Sequence, residues 1–497
     1  MPLQAPQSEL TDPLEHAYRR SVRWSMAGAA GAAIFQFLQM IVFARFVTAA
    51  ELGDYALAAV VIGFLAPVAE AGVSQAIVIA DGHNRSQLAA LAWVNFSIGL
   101  LIFLLLFIAA DFFAGWYDRP VLSDILVLMG TTLLIAPFGV QSSGLLTRAM
   151  RFDAAAKVEV ISWACSFIAV AILAWRGWGP WSMAAGYVLR NAVATAGSMA
   201  AAWPGLSFKI PDSGDLRDAG PLLRFGFFEL SSRWADFLSN YLDKLVVGKW
   251  LGVTALGYYN LAFTLFMMPT GRLGYVITRV SFPVFARVRD DKPLLEQYFR
   301  QINRQIVVLL FPLYAGMMLF HEEIVLLLFG QSWLPAAPLL IAFGLAGLVR
   351  SCNAVLPQLI KGLGKPSLLF GWMLVWTAVL NIFLVSALAI SPSAISAAWG
   401  RVAAKYCIEI AMLWWLARRC GLAFVPVLKF AARVVAWLAP VAAICWLAGQ
   451  MPGNFWLVFA AKAVVFGSGI YLLAFKSPLR DAFSACFRLF HFERQPR

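Results

Sequence analysis

The chain has 497 residues, of which 61% are hydrophobic and 13% charged, with a mean hydropathy of +0.76. That composition excludes a soluble globule, whose surface needs more polar cover, and points to an integral membrane protein. A formal net charge of +13 would suit nucleic acid, but most basic residues fall in short connections and the C-terminal tail, where membrane topology accounts for them, so no nucleic-acid partner is expected.

Crossing about 30 Å of hydrocarbon takes about 20 helical residues. After a tail over residues 1–21, six apolar segments of that order fall near 22–44, 55–80, 88–110, 122–147, 158–175 and 181–202. A segment rich in Pro, Gly and Asp, WPGLSFKIPDSGDLRDAGPLL over 203–223, reads as an inter-lobe linker. Six more spans fall near 224–248, 255–280, 305–320, 333–360, 366–390 and 393–417, and a last pair near 430–449 and 454–475, before a tail over 476–497. The sequence thus predicts an all-α protein of about fourteen transmembrane helices: an N-lobe over 22–202, a C-lobe over 224–417 and a C-terminal pair within 430–475. No short apolar stretch with a small-residue cleavage site opens the chain, so the first span is expected to stay in the mature protein.

The two lobes are copies. Residues 44–58 (ARFVTAAELGDYALA) recur 204 positions later as residues 248–262 (GKWLGVTALGYYNLA), each time where one span ends and the next begins. Leu52/Leu256, Gly53/Gly257, Tyr55/Tyr259, Leu57/Leu261 and Ala58/Ala262 are identical. With both termini inside, only Arg45, Arg119, Arg176 and Lys249 fall in outer loops, as the retention of basic loops on the cytoplasmic face requires. Six spans per copy bring the second copy in from the same side, so the lobes are parallel repeats about an axis along the membrane normal, a common transporter plan. The basic inner face would also attract anionic lipids.

Residues 283–304 place Leu294, Leu295, Tyr298, Phe299 and Ile302 at helical spacing among charges, which suits an amphipathic helix in the interface or a solvated segment packed on its neighbours. Enzyme signatures are mostly missing. Gly362-Leu363-Gly364-Lys365-Pro366 lacks both the upstream glycine and the Ser/Thr of a phosphate-binding loop. The four histidines stand singly in tails or loops, and the six cysteines have neither metal-ligand spacing nor the pattern of a disulfide framework. The longest outer connection, near 321–332, leaves little room for a polymerase or ligase active site.

The chemistry lies in charges at membrane depth. On the seventh span Glu229, Arg233, Asp236, Asn240 and Asp243 are spaced 4, 3, 4 and 3, one stripe running about 21 Å along a helix. A charge facing lipid costs roughly 2.5 kcal/mol or more at the bilayer centre, so the stripe should face protein or water. Subtracting 204 puts Ser25, Gln36 and Gln39 on the matching face of the first span. Arg190, Lys244, Arg272, Arg350, Arg401, Lys405, Arg433 and Lys462 are also basic within spans, against Glu70, Glu159, Glu229, Asp236, Asp243 and Glu409. Guanidinium groups converging in a wet cavity would bind phosphate bidentately. The competing reading pairs Glu229 with Arg233 and Lys405 with Glu409 at i,i+4 as structural glue, and lets Arg433 and Lys462 snorkel. Pro67 and Pro269 lie at nearly equivalent positions of the second and eighth spans and would permit a shared bend.

FVTAAELGDYALA and AEAGVSQAIV in the first half, with LGVTALGYYNLA, SFPVFARVRDD, LLFGQSWLPAAPLL and QLIKGLGKP in the second, resemble the polysaccharide transporters of the multidrug/oligosaccharidyl-lipid/polysaccharide (MOP) superfamily, particularly its colanic-acid-type Wzx translocases. The resemblance spans roughly residues 15 to 420. It implies a twelve-helix core of two six-helix lobes, often with two extra helices, and a cationic cavity that flips an undecaprenyl-diphosphate-linked oligosaccharide across the bacterial inner membrane by alternating access. It also implies a polymerase and a chain-length regulator as pathway partners. On that reading Arg233, Arg272 and Arg350, with Lys244, Gln36 and Gln39, would contact the head group. Asp236, Asn240, Asp243 and Asn381 would form a site coupling transport to Na+ or H+, with no other cofactor. The alternatives are a lipid II flippase and a cation/drug antiporter, whose cavity should be acidic rather than basic.

Overall fold

The computed structural model describes residues 11–70, 85–203, 212–274, 281–282, 284–364, 366–420, 424–450 and 455–475. In chain order the helices are α1 (Thr11–Phe46), α2 (Ala49–Glu70), α3 (Arg85–Trp116), α4 (Val121–Gly130), α5 (Thr132–Arg148), α6 (Phe152–Trp175), α7 (Pro180–Ala202) and α8 (Ser213–Met268). There follow α9 (Lys292–Leu319), α10 (His321–Leu328), α11 (Ala337–Asn353), α12 (Leu356–Gly362), α13 (Pro366–Ile390), α14 (Ala394–Cys420), α15 (Val425–Gly449) and α16 (Phe455–Phe475). The chain divides into two compact units, Met1–Thr254 and Ala255–Arg497.

Among the described residues, eleven helices are long and apolar enough to cross a membrane, against about fourteen expected. The difference has a physical cause. Helices α7 and α14 have the length, 23 and 27 residues, but carry Arg190 in one and Arg401, Lys405 and Glu409 in the other. The expected spans 224–248 and 255–280 both fall within the stretch of α8, with no loop between them. Helices α4 and α5, in contrast, form one span interrupted at Thr131, where the Thr131 and Thr132 hydroxyls turn back to the carbonyls of Leu128 and Met129 at 2.7 Å.

The internal repeat is a repeat of packing. Leu52 and Leu256, Leu57 and Leu261, and Ala58 and Ala262 are buried in their own units. Both copies also change direction at the same register, by different chemistry. Thr48 caps α2 in a reciprocal box: its backbone N–H and hydroxyl both donate to Glu51 Oε2 at 2.8 Å, and the Glu51 N–H returns to Thr48 Oγ1 at 3.4 Å. Its counterpart 204 residues on, Gly252, breaks α8 with φ 80° and ψ 171°, a conformation essentially reserved for glycine. The seventh and eighth spans are therefore two helices joined at Gly252. The eighth ends at Pro269, where the backbone widens into a π-helical turn over Pro269–Gly274.

Unit 1 closes on the first part of α8. An alanine Cβ at Gly53 would lie 1.9 Å from the Val253 carbonyl oxygen, so only glycine permits this approach. Tyr117 donates to the Leu245 carbonyl at 3.2 Å, with its phenol pushed up to about 12 by burial. Lys249 donates to the Trp116 carbonyl and lies 5.0 Å from that residue's ring centroid. Deeper in, Trp234 stacks on Phe64 with ring centroids 5.3 Å apart and donates to the Phe64 carbonyl at 2.9 Å. The seventh span, expected to open the second lobe, thus lies in unit 1 up to Thr254, and residues 213–223 of the expected linker are its first turns.

In unit 2 the charged stretch before the ninth span is part of that span. Helix α9 starts at Asp291, whose side chain accepts the Leu294 N–H at 3.1 Å, and runs unbroken through Leu319. Leu295 and Phe299 are buried in its first turns, Phe299 edge-on to Phe424 at 5.0 Å. The connection between α9 and α11 is folded rather than loose: α10 and a 3₁₀ turn over Gln331–Ala336 bury Phe329 and Trp333, and Tyr258 donates to the Ser332 carbonyl at 3.3 Å. Helix α15 packs Phe430, Val434 and Leu438 against Val307, Val308 and Phe311 of α9. In lipid the driving force for such contacts is van der Waals packing and hydrogen bonding rather than escape from water.

Candidate functional site

The polar stripe is on α8 as its spacing predicts, in the part of that helix that belongs to unit 1. The side chains of Glu229, Arg233, Asp236 and Arg272 lie outside the described residues. Asn240 is half-buried, and Asp243 and Lys244 are buried. Asp243 Oδ1 accepts the Lys244 backbone N–H at 3.0 Å, and the Lys244 ammonium lies 5.0 Å from the Tyr241 ring centroid. Asn381, on α13 in unit 2, donates its amide to the Thr377 carbonyl one turn back at 2.7 Å. On α1, Gln36 is half-buried, whereas Gln39 is turned into unit 1. Gln39 Oε1 accepts from Ser166 Oγ at 3.0 Å, and its amide reaches Met183 Sδ at 3.5 Å.

Unit 1 holds a second cation at membrane depth, on α7. The Arg190 guanidinium sits 4.8 Å from the Trp163 ring centroid and 5.9 Å from that of Tyr187, and donates to Asn191 Oδ1 at 3.2 Å. Flat aromatic faces suit a delocalised guanidinium.

The densest group is in unit 2, where α11 contributes Arg350 and Asn353 and α14 contributes Arg401, Lys405 and Glu409. Spacing of four puts the last three on one face of α14. Lys405 donates to Glu409 Oε1 at 2.5 Å, and Asn353 donates to Glu409 Oε2. The carboxylate is held by both oxygens. Around this pair stand Trp376, whose ring centroid is 4.6 Å from the Lys405 ammonium, and Phe263, 4.8 Å from the Arg401 guanidinium. Arg350 and Arg401 both lie within electrostatic reach of Lys405. Arg401 is 1% exposed. Arg350 has no ion pair among the described residues, and its buried Nε has no hydrogen-bond partner there.

The i,i+4 pairing of Lys405 with Glu409 is therefore real, and it leaves Arg350 outside the pair. Arg401 is a member that sequence reasoning counted but did not single out, although positions 401, 405 and 409 share one helical face. Lys462 does not snorkel: it donates to Glu323 Oε1 of α10 at 2.5 Å and ties the C-terminal pair to unit 2. Arg433 is exposed on α15. Among the described residues no group of three or more His, Cys, Asp or Glu could hold a metal ion.

Fold and site together define a multi-pass membrane protein of duplicated helical halves, with cations buried at membrane depth. The profile of polysaccharide biosynthesis proteins matches residues 42–338, and the chain belongs to that family. It is 28% identical over 357 residues to the succinoglycan biosynthesis transport protein ExoT of Rhizobium meliloti (strain 1021), covering 72% of this chain and 71% of that one. It is 26% identical over 358 residues to the teichuronic acid biosynthesis protein TuaB of Bacillus subtilis (strain 168), covering 70% and 72%. The lipopolysaccharide biosynthesis protein WzxC of Escherichia coli (strain K12) is 26% identical over 339 residues, 67% of each chain. Among solved structures, the lipid II flippase MurJ in an inward closed conformation superposes with a TM-score of 0.76 at 14% identity, over 95% of this chain and 100% of that one. An inward-facing MATE family transporter of the MOP superfamily gives 0.66 at 14%, over 78% and 94%. The fold is that of the MOP superfamily; ExoT is named as a transport protein, MurJ as a flippase and the MATE protein as a transporter.

Proposed function

We propose that the protein flips a polyprenyl-diphosphate-linked oligosaccharide repeat unit from the cytoplasmic to the outer leaflet of a bacterial inner membrane, by alternating access, for export as a cell-surface polysaccharide. The observation that carries this reading is the half-buried guanidinium of Arg350, whose buried Nε has no hydrogen-bond partner among the described residues, in a chain whose relatives are named for polysaccharide biosynthesis and transport. A cation kept at membrane depth without an acid is costly and calls for an anionic ligand. Arg233, Arg272 and Lys244 are the further head-group candidates, with both termini on the cytoplasmic side. Gln39, engaged by Ser166 and Met183, is the weakest of the set. The same excess of cations speaks against a carrier of cationic drugs.

A coupling ion, Na+ or H+, would be held by Asp236, Asn240 and Asp243 on α8, with Asn381 of α13 as a separate oxygen donor. A polymerase and a chain-length regulator would act on the flipped unit. The reading is tested by expressing the gene in a strain that lacks its own flippase but retains its glycosyltransferases, and measuring polymer export. Restored export, together with loss of the lipid-linked intermediate from the inner leaflet, is the expected result; an intermediate that stays inside overturns it.

A further inference from the structure

Within unit 2 the eighth span loses its regular helix at Pro269. Proline has no N–H to return to the turn before it. A ladder that widens from i→i+4 to i→i+5 bonding over Pro269–Gly274 also carries later donors past that turn's carbonyls. One of them, the carbonyl of Phe266, has a donor from another helix: Tyr314 of α9 gives it a hydrogen bond at 3.0 Å. A phenol has a single proton, so the contact of 2.5 Å between the Tyr314 and Thr270 hydroxyls has Thr270 as its donor. One buried hydroxyl thus ties the last helical turn before Pro269 to the first residue after it. The Tyr314 ring is fully buried and is seated on Gly347 of α11, where a Cβ would lie 2.3 Å from a ring carbon. Elsewhere the turn is open: Gly271 is exposed, and a Cβ there would meet nothing within 4 Å.

We infer that the π-helical turn over Pro269–Gly274 is a hinge in the eighth span, and that the Tyr314 hydroxyl is the latch that holds it in one of two positions. Single π turns set into α-helices recur at functional sites, and a hinge needs a few element-terminal residues that absorb a backbone change beside elements that stay packed. The packed side is the end of α8, where Phe263 and Phe266 lie against Phe343 of α11 with ring centroids 5.8 and 5.5 Å away. The inference rests on the flippase reading and deepens it. The turn carries Arg272, and the Tyr314 phenol lies within electrostatic reach of Arg350, both of them head-group candidates. Latched, the backbone at Arg272 is tied to α9; unlatched, the turn is free to return toward a regular helix, and Arg272 moves relative to Arg350. Release breaks two hydrogen bonds and no apolar contact, since the ring stays on Gly347, and such a small, discrete difference is what a two-state element requires.

The test is amide hydrogen exchange of the full-length protein in lipid nanodiscs, read over Thr270–Gly274, with polymer export measured in parallel. Tyr314→Phe keeps the ring and removes both hydrogen bonds, so exchange of those amides is expected to rise about tenfold or more, while α9 and α11 exchange as in wild type. Thr270→Val, which loses one bond of the two, should give a smaller rise. Pro269→Ala restores an N–H and lets the helix run on; exchange over the turn should fall, and export should fall with it although the melting temperature does not. Unchanged exchange over Thr270–Gly274 in well-folded Tyr314→Phe overturns the latch, as does a rise spread evenly through α9 and α11, the mark of a packing contact. Should Tyr314→Phe fail to fold, Thr270→Val decides by the same comparison. A Pro269→Ala protein that exports at the wild-type rate overturns the hinge. A wild type that exports nothing overturns the flippase reading instead, and the exchange comparison then decides the latch by itself.

Discussion

Arg119 grips Asp54 side-on: Nε donates to Oδ1 at 2.8 Å and Nη2 to Oδ2 at 2.5 Å. Asp54 is fully buried near the start of α2, whereas Arg119, in the turn between α3 and α4, is about one-third exposed. The pair staples that turn to the helix in which the first copy of the repeat ends. Arg119→Gln leaves a buried carboxylate without its counter-charge, a loss of several kcal/mol in a closed interior that solvent around Arg119 should reduce to about 2 kcal/mol. Asp54→Asn should cost less. The hydrogen bond that Arg119 donates to Asp54, with the charge of that carboxylate, raises the Arg119 pKa above its ordinary value against the opposing effect of burial. That stabilisation is complete below the ordinary arginine value and lost only as pH climbs through the raised one. The melting-temperature difference between wild type and Arg119→Gln should therefore hold steady from about pH 7 to 10.

Gly53 and Gly252 predict the backbone's tolerance. A Cβ at Gly53 would drive into the Val253 carbonyl oxygen, so Gly53→Ala must push α2 away from that turn, at about 1–3 kcal/mol or more. Gly252→Ala faces no neighbour but a forbidden φ of 80°, at about 1–3 kcal/mol. Gly115, helical and open to its surroundings, should accept alanine and gain up to about 1 kcal/mol. Thermal melts of the three variants should give that order, and equal effects at Gly53 and Gly115 would contradict the close approach.

Local features were readable from the chain, and partnerships were not. The spans announce themselves because lipid demands long apolar runs, and the repeat because its identical positions, Leu57 and Leu261 among them, are core in both copies. Gln39 was polar on the right face of α1 for a cavity, yet Ser166 and Met183 claim it, 127 and 144 residues away. Asp54 and Arg119 are 65 residues apart and Glu323 and Lys462 139. No periodicity within a helix encodes such a pair, because tertiary packing chooses the partner. The α14 face was within reach, since Arg401, Lys405 and Glu409 repeat every four residues; it was obscured because the Lys405–Glu409 pair alone satisfied the local rule.

The C-terminal helices should depend on one ion pair. Lys462 of α16 reaches Glu323 of α10, and both side chains are largely buried, while Glu323 Oε2 has no hydrogen-bond partner among the described residues. Lys462→Met strands the carboxylate and should cost about 3 kcal/mol. Adding Glu323→Gln removes the stranded charge and should restore most of the loss. Limited proteolysis of detergent-purified protein would read this as early cleavage between α15 and α16 in the single variant and protection in the double one. Equal susceptibility in both would mean that Phe320 against Phe459 and Phe466, rather than the ion pair, holds α16.

Coupling to an ion gradient should be decided on α8. Asp243 is fully buried and Asn240 lies one turn before it on the same face, whereas Asp236 stands two turns from Asp243, about 10 Å along the helix. One small ion cannot bridge that span without further oxygens, so the two acids should not contribute equally. Asn381 already donates its amide to Thr377 within α13, which leaves its carbonyl oxygen as its only contribution. We expect Asp243→Asn, more than Asp236→Asn, to make transport in proteoliposomes insensitive to an imposed sodium or proton gradient while lipid-linked substrate still binds. Asn381→Ala should change the response less than Asp243→Asn. Full gradient dependence in both aspartate variants would remove α8 from the coupling mechanism and leave its acids as charge partners of neighbouring cations.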